Sequence, residues 1–204
     1  MDFAPGAWKY ALPPLAVAVP ALAVSPAASL ALLALSGFVW WFFRDPERTP
    51  PEQGVLCPAD GRVSVVREEG DRLRVGVFMN VTDVHVVRAP VGAAVGEVTH
   101  SPGAHRPAFT KDSDRNERVT VDLGDHELTL IAGAFARRIR PYVAPGDLVA
   151  RGERVGHIAF GSRVDVRFPP GVSRDDLRVS RGESVRAGET VLAPTPQDTC
   201  GDAP

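Results

Sequence analysis

The segment from residue 11 to residue 43 constrains the fold most, because it contains no charged residue. The prolines that divide it are Pro13, Pro14, Pro20 and Pro26. They leave two apolar runs of about 14 and about 17 residues, which as helices would extend about 21 and 26 Å, short of the ~30 Å hydrocarbon core of a bilayer. The sequence therefore predicts a hydrophobic helical hairpin over residues 1–43 rather than one clean membrane span.

The flanks of this segment indicate how it would meet a membrane. Aromatic residues 40–43 lie next to Arg44, a combination typical of the membrane interface. Lys9 precedes the apolar runs and Arg48 follows them, so a hairpin would place both flanks at the cytoplasmic face of the cell membrane. A signal peptide is the alternative, since Ala21–Ala28 could supply a cleavage site. The long second run and its aromatic end favour a peripheral or hairpin-anchored protein.

After residue 43 the apolar pattern acquires a period of two, which predicts strands. Glycine and proline number 19 each, and no long stretch has a helical period. Residues 44–193 are therefore predicted to form a mainly β domain, and the polar tail 194–204 to be disordered. The strand candidates are Leu73–Phe78, Val119–Leu123, Leu128–Ala132 and Val164–Phe168.

Two stretches, Gly146–Val155 and Gly182–Val191, share the pattern Gly-acid-x-Val-x-x-Gly-Glu-x-Val. Such repeats are common as hairpin units in a flattened β-barrel or barrel-sandwich domain, like those of biotinyl and lipoyl carriers. A carrier needs a lysine at a hairpin tip, but Lys9 and Lys111 both lie outside the repeat. A non-enzymatic, membrane-anchored adaptor with such a β domain remains the alternative to an enzyme.

Composition excludes several other classes. A chain of 204 residues with 44% hydrophobic residues can hold one domain and an appendage. A net charge of -2 with mixed signs gives no reason to expect a nucleic-acid partner. Cys57 and Cys200 are too few for a disulfide scaffold. The five histidines form no His-x-His pair, and Asp83-x-His85 alone does not predict a metal site.

The tripeptide Phe160-Gly161-Ser162 offers a specific chemistry. If Ser162 Oγ attacks the Gly161 carbonyl, the amide becomes an ester. β-Elimination then leaves a dehydroalanine that hydrolyses to a pyruvoyl group. A Gly-Ser pair alone is usually a turn, so this interpretation depends on the motifs that accompany it.

Four motifs in one order accompany it. They are Pro58-Ala59-Asp60-Gly61, Thr82-Asp83-Val84-His85-Val86-Val87-Arg88-Ala89-Pro90, Arg115-Asn116-Glu117-Arg118-Val119 and Gly152-Glu153-Arg154-Val155-Gly156, the last leading into the Gly-Ser pair. In their order and rough spacing, the chain resembles the phosphatidylserine decarboxylases, in the short and compact form of that family. The resemblance covers roughly residues 40 to 193.

The resemblance implies a self-processing proenzyme. Cleavage between Gly161 and Ser162 would give a large β chain, residues 1–161, and a small α chain that begins with the pyruvoyl cofactor; the two would form a heterodimer. The pyruvoyl carbonyl would act as the electron sink while a membrane phospholipid with a serine headgroup loses CO2 and becomes the ethanolamine lipid. Phosphatidylserine and archaetidylserine are both open as substrates, and so is a homo-oligomer.

Longer members of the family use an Asp and the second His of His-x-x-His to activate the serine. Asp60 matches the Asp and His85 the first His, but Arg88 stands at the second position, and arginine cannot act as a base. We therefore predict that His85 takes over or shares proton transfer, that Asp60 assists it, and that Arg88 binds the phosphate or carboxylate of the substrate. His105, in a loop near the family's active site, is predicted to help bind the headgroup phosphate.

Overall fold

The computed structural model describes residues 2–103, 116–133, 139–159 and 162–195. His105, Gly161 and residues 196–204 of the predicted tail lie outside this range. The chain divides into two compact units, Met1–Glu47 and Arg48–Pro204.

The first unit contains two helices, as predicted. Helix α1 spans Trp8–Val24 and helix α2 spans Pro26–Phe42, 17 residues each. Ser25 ends α1 and caps α2, since its side chain accepts a hydrogen bond from the Ala28 amide and proline occupies the first turn. Within the described residues, neither helix is long and apolar enough to cross a membrane. A short strand before α1, β1 (Asp2–Phe3), pairs with β2 (Arg44–Asp45).

The two helices pack antiparallel through small side chains. Ser29 Oγ donates to the Ala18 carbonyl at 2.8 Å, and Ser36 Oγ donates to the Ala11 carbonyl at 2.9 Å. These four residues are buried, so the helix backbones can approach closely and the hydroxyl groups have partners. The large apolar side chains point away from this contact: Val19, Leu22, Val24 and Leu30 are 61–89% exposed.

The second unit is mainly β, as predicted. Its strands are β3 (Val55–Leu56), β4 (Gly61–Glu69), β5 (Arg72–Met79), β6 (Val86–Arg88), β7 (Ala93–Ala94), β8 (Val98–Ser101), β9 (Arg118–Leu123), β10 (His126–Ala132), β11 (Ile139–Pro141), β12 (Leu148–Val149), β13 (Arg154–Ile158), β14 (Ser162–Arg167), β15 (Ser184–Val185) and β16 (Val191–Ala193). The four strand candidates correspond to β5, β9, β10 and β14. In each of these strands the apolar residues that alternate in the sequence are buried.

Seven strands form an antiparallel sheet in the order β15-β4-β5-β14-β10-β9-β8. Among the described residues its edge strands β15 and β8 do not pair with each other, so the strands do not close into a barrel. A three-stranded sheet, β11-β13-β6, contributes Val87, Val155 and Ile158 to the same core that contains Val164 and Val166 of β14. Strand β7 pairs with β12, and β3 pairs with β16. The two larger sheets therefore share one hydrophobic core.

The sequence repeat corresponds to a repeated turn, but the prediction of hairpin units is wrong. The glycines of the pattern, Gly146, Gly152, Gly182 and Gly188, all have φ between +72° and +93°. This conformation suits the third position of a type II turn. Type II turns splay the strands that they connect, whereas hairpins prefer the mirror-image turns. Accordingly, β12 pairs with β7 and β13 with β6 and β11, rather than β12 with β13.

The acidic residues after three of the four repeat glycines have a common local role, whereas Glu189, after Gly188, contacts Arg48 instead. Asp147 Oδ2 accepts a hydrogen bond from the Ala144 amide at 2.8 Å. Glu153 Oε2 accepts one from Ala150 at 2.7 Å, and Glu183 Oε2 accepts one from Ser180 at 2.9 Å. In each case the carboxylate satisfies an amide at the start of its own turn, so the Gly-acid pair stabilises the turn locally.

Candidate active site

Three of the sequence motifs, those of Asp60, Asn116 and Ser162, meet at one end of the seven-stranded sheet. Neighbouring strands are antiparallel, so the end where β5 and β10 finish is the end where β4 and β14 begin. Ser162, the first residue of β14, is paired with Met79 on one side and with Ala132 on the other. Asp60 precedes β4 at this end. The topology thus brings together residues that lie up to 102 positions apart in the sequence.

Ser162 is fully buried, and its hydroxyl makes no hydrogen bond to any residue that the structure describes. A buried hydroxyl without a partner destabilises a fold by about 1–3 kcal/mol. Such groups are rare in folded proteins and are often found where chemistry takes place. The Oγ atom that the sequence predicts to be the nucleophile is therefore not tied to another described group.

The Arg-Asn-Glu-Arg motif supports Ser162 indirectly. Asn116 is 2% exposed, and its Nδ2 donates a hydrogen bond to the Ala132 carbonyl at 2.8 Å. The Ala132 amide donates to the Glu117 carbonyl at 2.9 Å. Both contacts hold the end of β10 that pairs with Ser162. The alternation in this motif indicates a buried ionic or hydrogen-bonded support at least as much as a substrate contact, and Asn116 makes such a buried hydrogen bond.

His85 is buried, and the position of its ring indicates which nitrogen carries the proton. Nδ1 lies 2.9 Å from the Asp83 carbonyl. A carbonyl oxygen only accepts hydrogen bonds, so Nδ1 donates, and in the neutral ring Nε2 keeps the lone pair. The Asp83 carboxylate itself accepts from the Asn80 amide at 2.7 Å. The Asp83-x-His85 pair is thus a turn that fixes a histidine tautomer suited to act as a base at Nε2.

His85 and Ser162 each adjoin a strand of the same hydrophobic core. His85 directly precedes β6, and Ser162 is the first residue of β14. The Ile158 amide donates to the His85 carbonyl at 3.2 Å. Since strand residues alternate in direction, Ser162 lies on the same face of β14 as the core residue Val164.

Arg88 lies three residues farther along, at the other end of β6, and is 7% exposed. Its Nη1 donates to the Gly152 carbonyl at 3.1 Å. Its Cδ approaches Gly188, where an added Cβ would lie only 3.0 Å away. Arg88 therefore lies between two turns: the one at Gly152 in the first repeat unit and the one at Gly188 in the second. Its predicted contact with the substrate phosphate or carboxylate stays a prediction.

Asp60 is held by a residue that sequence reasoning missed. Arg48 Nη2 lies 2.7 Å from Asp60 Oδ2, and Arg48 Nη1 lies 3.3 Å from Glu189 Oε2. The Ala187 amide donates to Asp60 Oδ1 at 2.8 Å. Arg48 lies outside every motif, and nothing in its sequence environment indicated this contact. That Asp60 assists His85 in proton transfer stays a prediction.

Two other groups with reactive side chains are held in unreactive forms. Burial, with a smaller contribution from the charge of Arg140, lowers the pKa of His157 to about 4. His157 is therefore neutral near pH 7, with Nδ1 2.7 Å from the Tyr142 hydroxyl. Burial raises the pKa of the Cys57 thiol to about 12, so the thiol stays protonated. No group of three or more potential metal ligands occurs in the part of the chain that the structure describes.

This geometry predicts different effects for the two candidate residues of the second motif. His85→Ala should leave the chain uncut, because it removes the base. Arg88→Ala should still mature into two chains, yet raise the KM for the lipid about thirtyfold, or about 2 kcal/mol, through loss of a charge-assisted contact. A denaturing gel and the release of labelled CO2 from the same preparations would measure both effects.

His126→Gln is a suitable control, because His126 begins β10 at the opposite end of the sheet. The role assignments would be wrong if His85→Ala were cleaved normally but did not decarboxylate, while Arg88→Ala stayed uncut. That outcome would instead assign His85 to protonation of the substrate carbanion.

Comparison with known proteins agrees with the sequence motifs. The family model described as phosphatidylserine decarboxylase matches residues 35–193. The chain is 57% identical over 190 residues to a putative archaetidylserine decarboxylase proenzyme of Halobacterium salinarum, covering 93% of this chain and 97% of that protein. It is 44% identical over 196 residues to the phosphatidylserine decarboxylase proenzyme of Streptomyces griseus, covering 91% and 90%. No solved structure matches. The chain therefore belongs to the phosphatidylserine decarboxylase family.

Proposed function

We propose that this chain is a self-processing, pyruvoyl-dependent decarboxylase that converts a serine phospholipid into the corresponding ethanolamine lipid. The observation that carries the proposal is the Ser162 hydroxyl, which is buried without a partner among the described residues, at the end of the sheet where Asp60 and the Asn116 motif also lie. A non-enzymatic adaptor gains nothing from a buried hydroxyl without a partner, which lowers stability.

Self-processing assigns a task to each described residue. Ser162 Oγ attacks the carbonyl carbon of residue 161, and His85 Nε2 accepts the hydroxyl proton. The peptide bond becomes an ester, whose elimination releases the carboxylate of the large chain. Hydrolysis of the remaining dehydroalanine takes up water, releases ammonia and leaves the pyruvoyl group. Ser162 fits this conversion because all the atoms of the new group come from its own side chain, its backbone and water.

When present, the pyruvoyl carbonyl supplies the electron sink for loss of CO2 from the substrate. His85 can return a proton to the reacting centre from the core side. Arg88 and His105 are proposed to bind the anionic headgroup. The core around Ser162 excludes water, which strengthens each of these polar interactions.

The headgroup, rather than the lipid chains, defines the proposed substrate. The relatives are named for archaetidylserine in Halobacterium salinarum and for phosphatidylserine in Streptomyces griseus. These two lipids share the serine headgroup and differ in the linkage of their chains. We therefore propose a serine phospholipid as the substrate class. Lipids with ester-linked chains and lipids with ether-linked chains should both be assayed as substrates.

The large and small chains are proposed to remain together after cleavage. Strand β14 is paired on both sides with strands of the large chain, β15 pairs with β4, and β16 pairs with β3. Separation would break all of these ladders. A flattened barrel or barrel-sandwich remains our proposal for the finer fold, supported by the core that the two larger sheets share.

The proposed location is the cytoplasmic face of the cell membrane, with residues 1–43 as the anchor. The support is the exposed apolar surface of α1 and α2: Val24 is 89% exposed and Val19 is 73% exposed. A 17-residue helix extends about 26 Å. Apolar helices of this length suit a hairpin that inserts from one side.

The first prediction concerns activity. Wild-type protein should release CO2 from a serine phospholipid labelled at its carboxyl carbon, whereas Ser162→Ala should release none and stay one chain, because it lacks the nucleophile. Ser184→Ala, which removes a serine hydroxyl from the exposed strand β15, should behave like the wild type. CO2 release by the Ser162→Ala protein would refute the proposed mechanism.

The second prediction concerns the anchor. Deletion of residues 1–43 should move the protein from the membrane fraction to the soluble fraction, because it removes the exposed apolar helices. Cleavage should continue, since all the proposed processing residues lie later in the chain. Sedimentation of cell extracts followed by a denaturing gel would test both points. If the shortened protein still sediments with membranes, the hairpin is not the anchor.

A further inference from the structure

We propose that Arg163 and Asp165 are positioning residues, which hold the pyruvoyl-bearing end of the small chain in a socket that the large chain builds from Gly76 and Arg74. This inference rests on the proposed function. It concerns the mature enzyme, in which residue 162 is the first residue of its chain.

Cleavage creates a positional problem. Before cleavage, Ser162 lies within a continuous chain; afterwards it is a chain terminus at the end of strand β14. Strand ends and termini fray unless side chains hold them. Yet a reacting group displaced by about 1 Å can lose about a hundredfold in rate. The mature enzyme therefore needs a contact that fixes the first residues of the small chain.

Arg163 and Asp165 supply such a contact next to the terminus. Arg163 Nε donates to Asp165 Oδ1 at 2.8 Å, and Arg163 Nη2 donates to Asp165 Oδ2 at 2.9 Å. The two residues are 3% and 1% exposed. A bidentate pair of this kind fixes the orientation of both side chains. Because they are two residues apart, they share the face of β14 opposite to that of Ser162.

The large chain has a glycine where this carboxylate needs space. Gly76 is directly opposite Asp165 in the pairing of β5 with β14. A Cβ atom on Gly76 would lie 2.5 Å from Asp165 Oδ1 and 3.1 Å from Val65 Cβ. Any larger residue would therefore displace the carboxylate or the neighbouring strand. Since Gly76 is not one of the glycines with positive φ, its backbone does not require glycine, and the close approach explains the residue.

The large chain also supplies a complementary charge. Arg74 Nε lies 3.4 Å from Asp165 Oδ2, and Arg74 Nη1 lies 3.0 Å from Glu69 Oε1. A row of alternating charges thus links the two chains. It begins with Arg163 and Asp165 of the small chain and continues with Arg74 and Glu69 of the large chain. A buried ion pair is weak evidence for stability, because desolvation of the charges offsets much of their attraction. The role proposed for this network is to fix the terminus of β14.

The test compares two variants of the large chain with a matched glycine control. Gly76→Ala should push the Asp165 carboxylate out of place, and Arg74→Gln should remove the complementary charge. Gly92→Ala is the control, because an added Cβ there would meet nothing closer than 3.5 Å. The pyruvoyl content of each preparation is titrated with a carbonyl reagent. The kcat for CO2 release per pyruvoyl group and the KM for lipid are then measured well below the melting temperature.

We expect kcat per pyruvoyl to fall at least tenfold in both variants while KM changes less than twofold, with Gly92→Ala unchanged. In hydrogen exchange, the amides at the start of β14 should exchange faster than in the wild type, and those of β9 should not. A purely structural role would accelerate exchange across the whole sheet and leave kcat per pyruvoyl unaltered, which would overturn the inference.

The inference also fails if both variants fold with the wild-type melting temperature but form no pyruvoyl, since the network would then act before cleavage. If Gly76→Ala does not fold, Arg74→Gln alone decides, because its side chain is 15% exposed and the change is milder. A wild-type protein that forms no pyruvoyl would contradict the proposed function itself. A wild type that matures, with variants that keep its kcat, would contradict only this inference.

Discussion

The pairing of β14 with β5 on one side and β10 on the other is the constraint on which the site depends. It places Ser162 between Met79 and Ala132 at the end of the sheet where the motifs meet. The registers of the neighbouring strands then determine what else reaches this end. A slip of one residue would turn the Ser162 hydroxyl to the other face of the sheet, away from the core face that it shares with Val164.

Much of the remaining structure holds this end in place. Asn116 fixes the end of β10, the turn at Asp83 fixes the tautomer of His85, and Asp60 is held by Arg48 and the Ala187 amide. The Ser162 hydroxyl at this end has no partner among the described residues. Rigid surroundings are what allow a costly unpaired group to persist. The stability of the core thus maintains a reactive arrangement that would otherwise relax.

The sequence predicted the elements whose burial pattern is periodic and missed those that depend on topology. Strands β5, β9, β10 and β14 were predictable because one face of each packs on the core. The hairpin interpretation of the repeat failed because its glycines form type II turns, which splay the strands. The contact of Arg48 with Asp60 could not be predicted, because 12 residues separate the two and only the folded chain brings them together. Motif order revealed the family, but not the face of β6 on which each motif residue lies.

The mass of the intact protein under denaturing conditions distinguishes a self-processed enzyme from an uncleaved chain. Two species are expected in place of one: residues 1–161 ending in a free carboxylate, and residues 162–204 beginning with a pyruvoyl group. The small chain should resist Edman degradation, because a pyruvoyl group lacks the free amine that this chemistry requires. A single uncleaved wild-type chain that nevertheless decarboxylates the lipid would contradict the account.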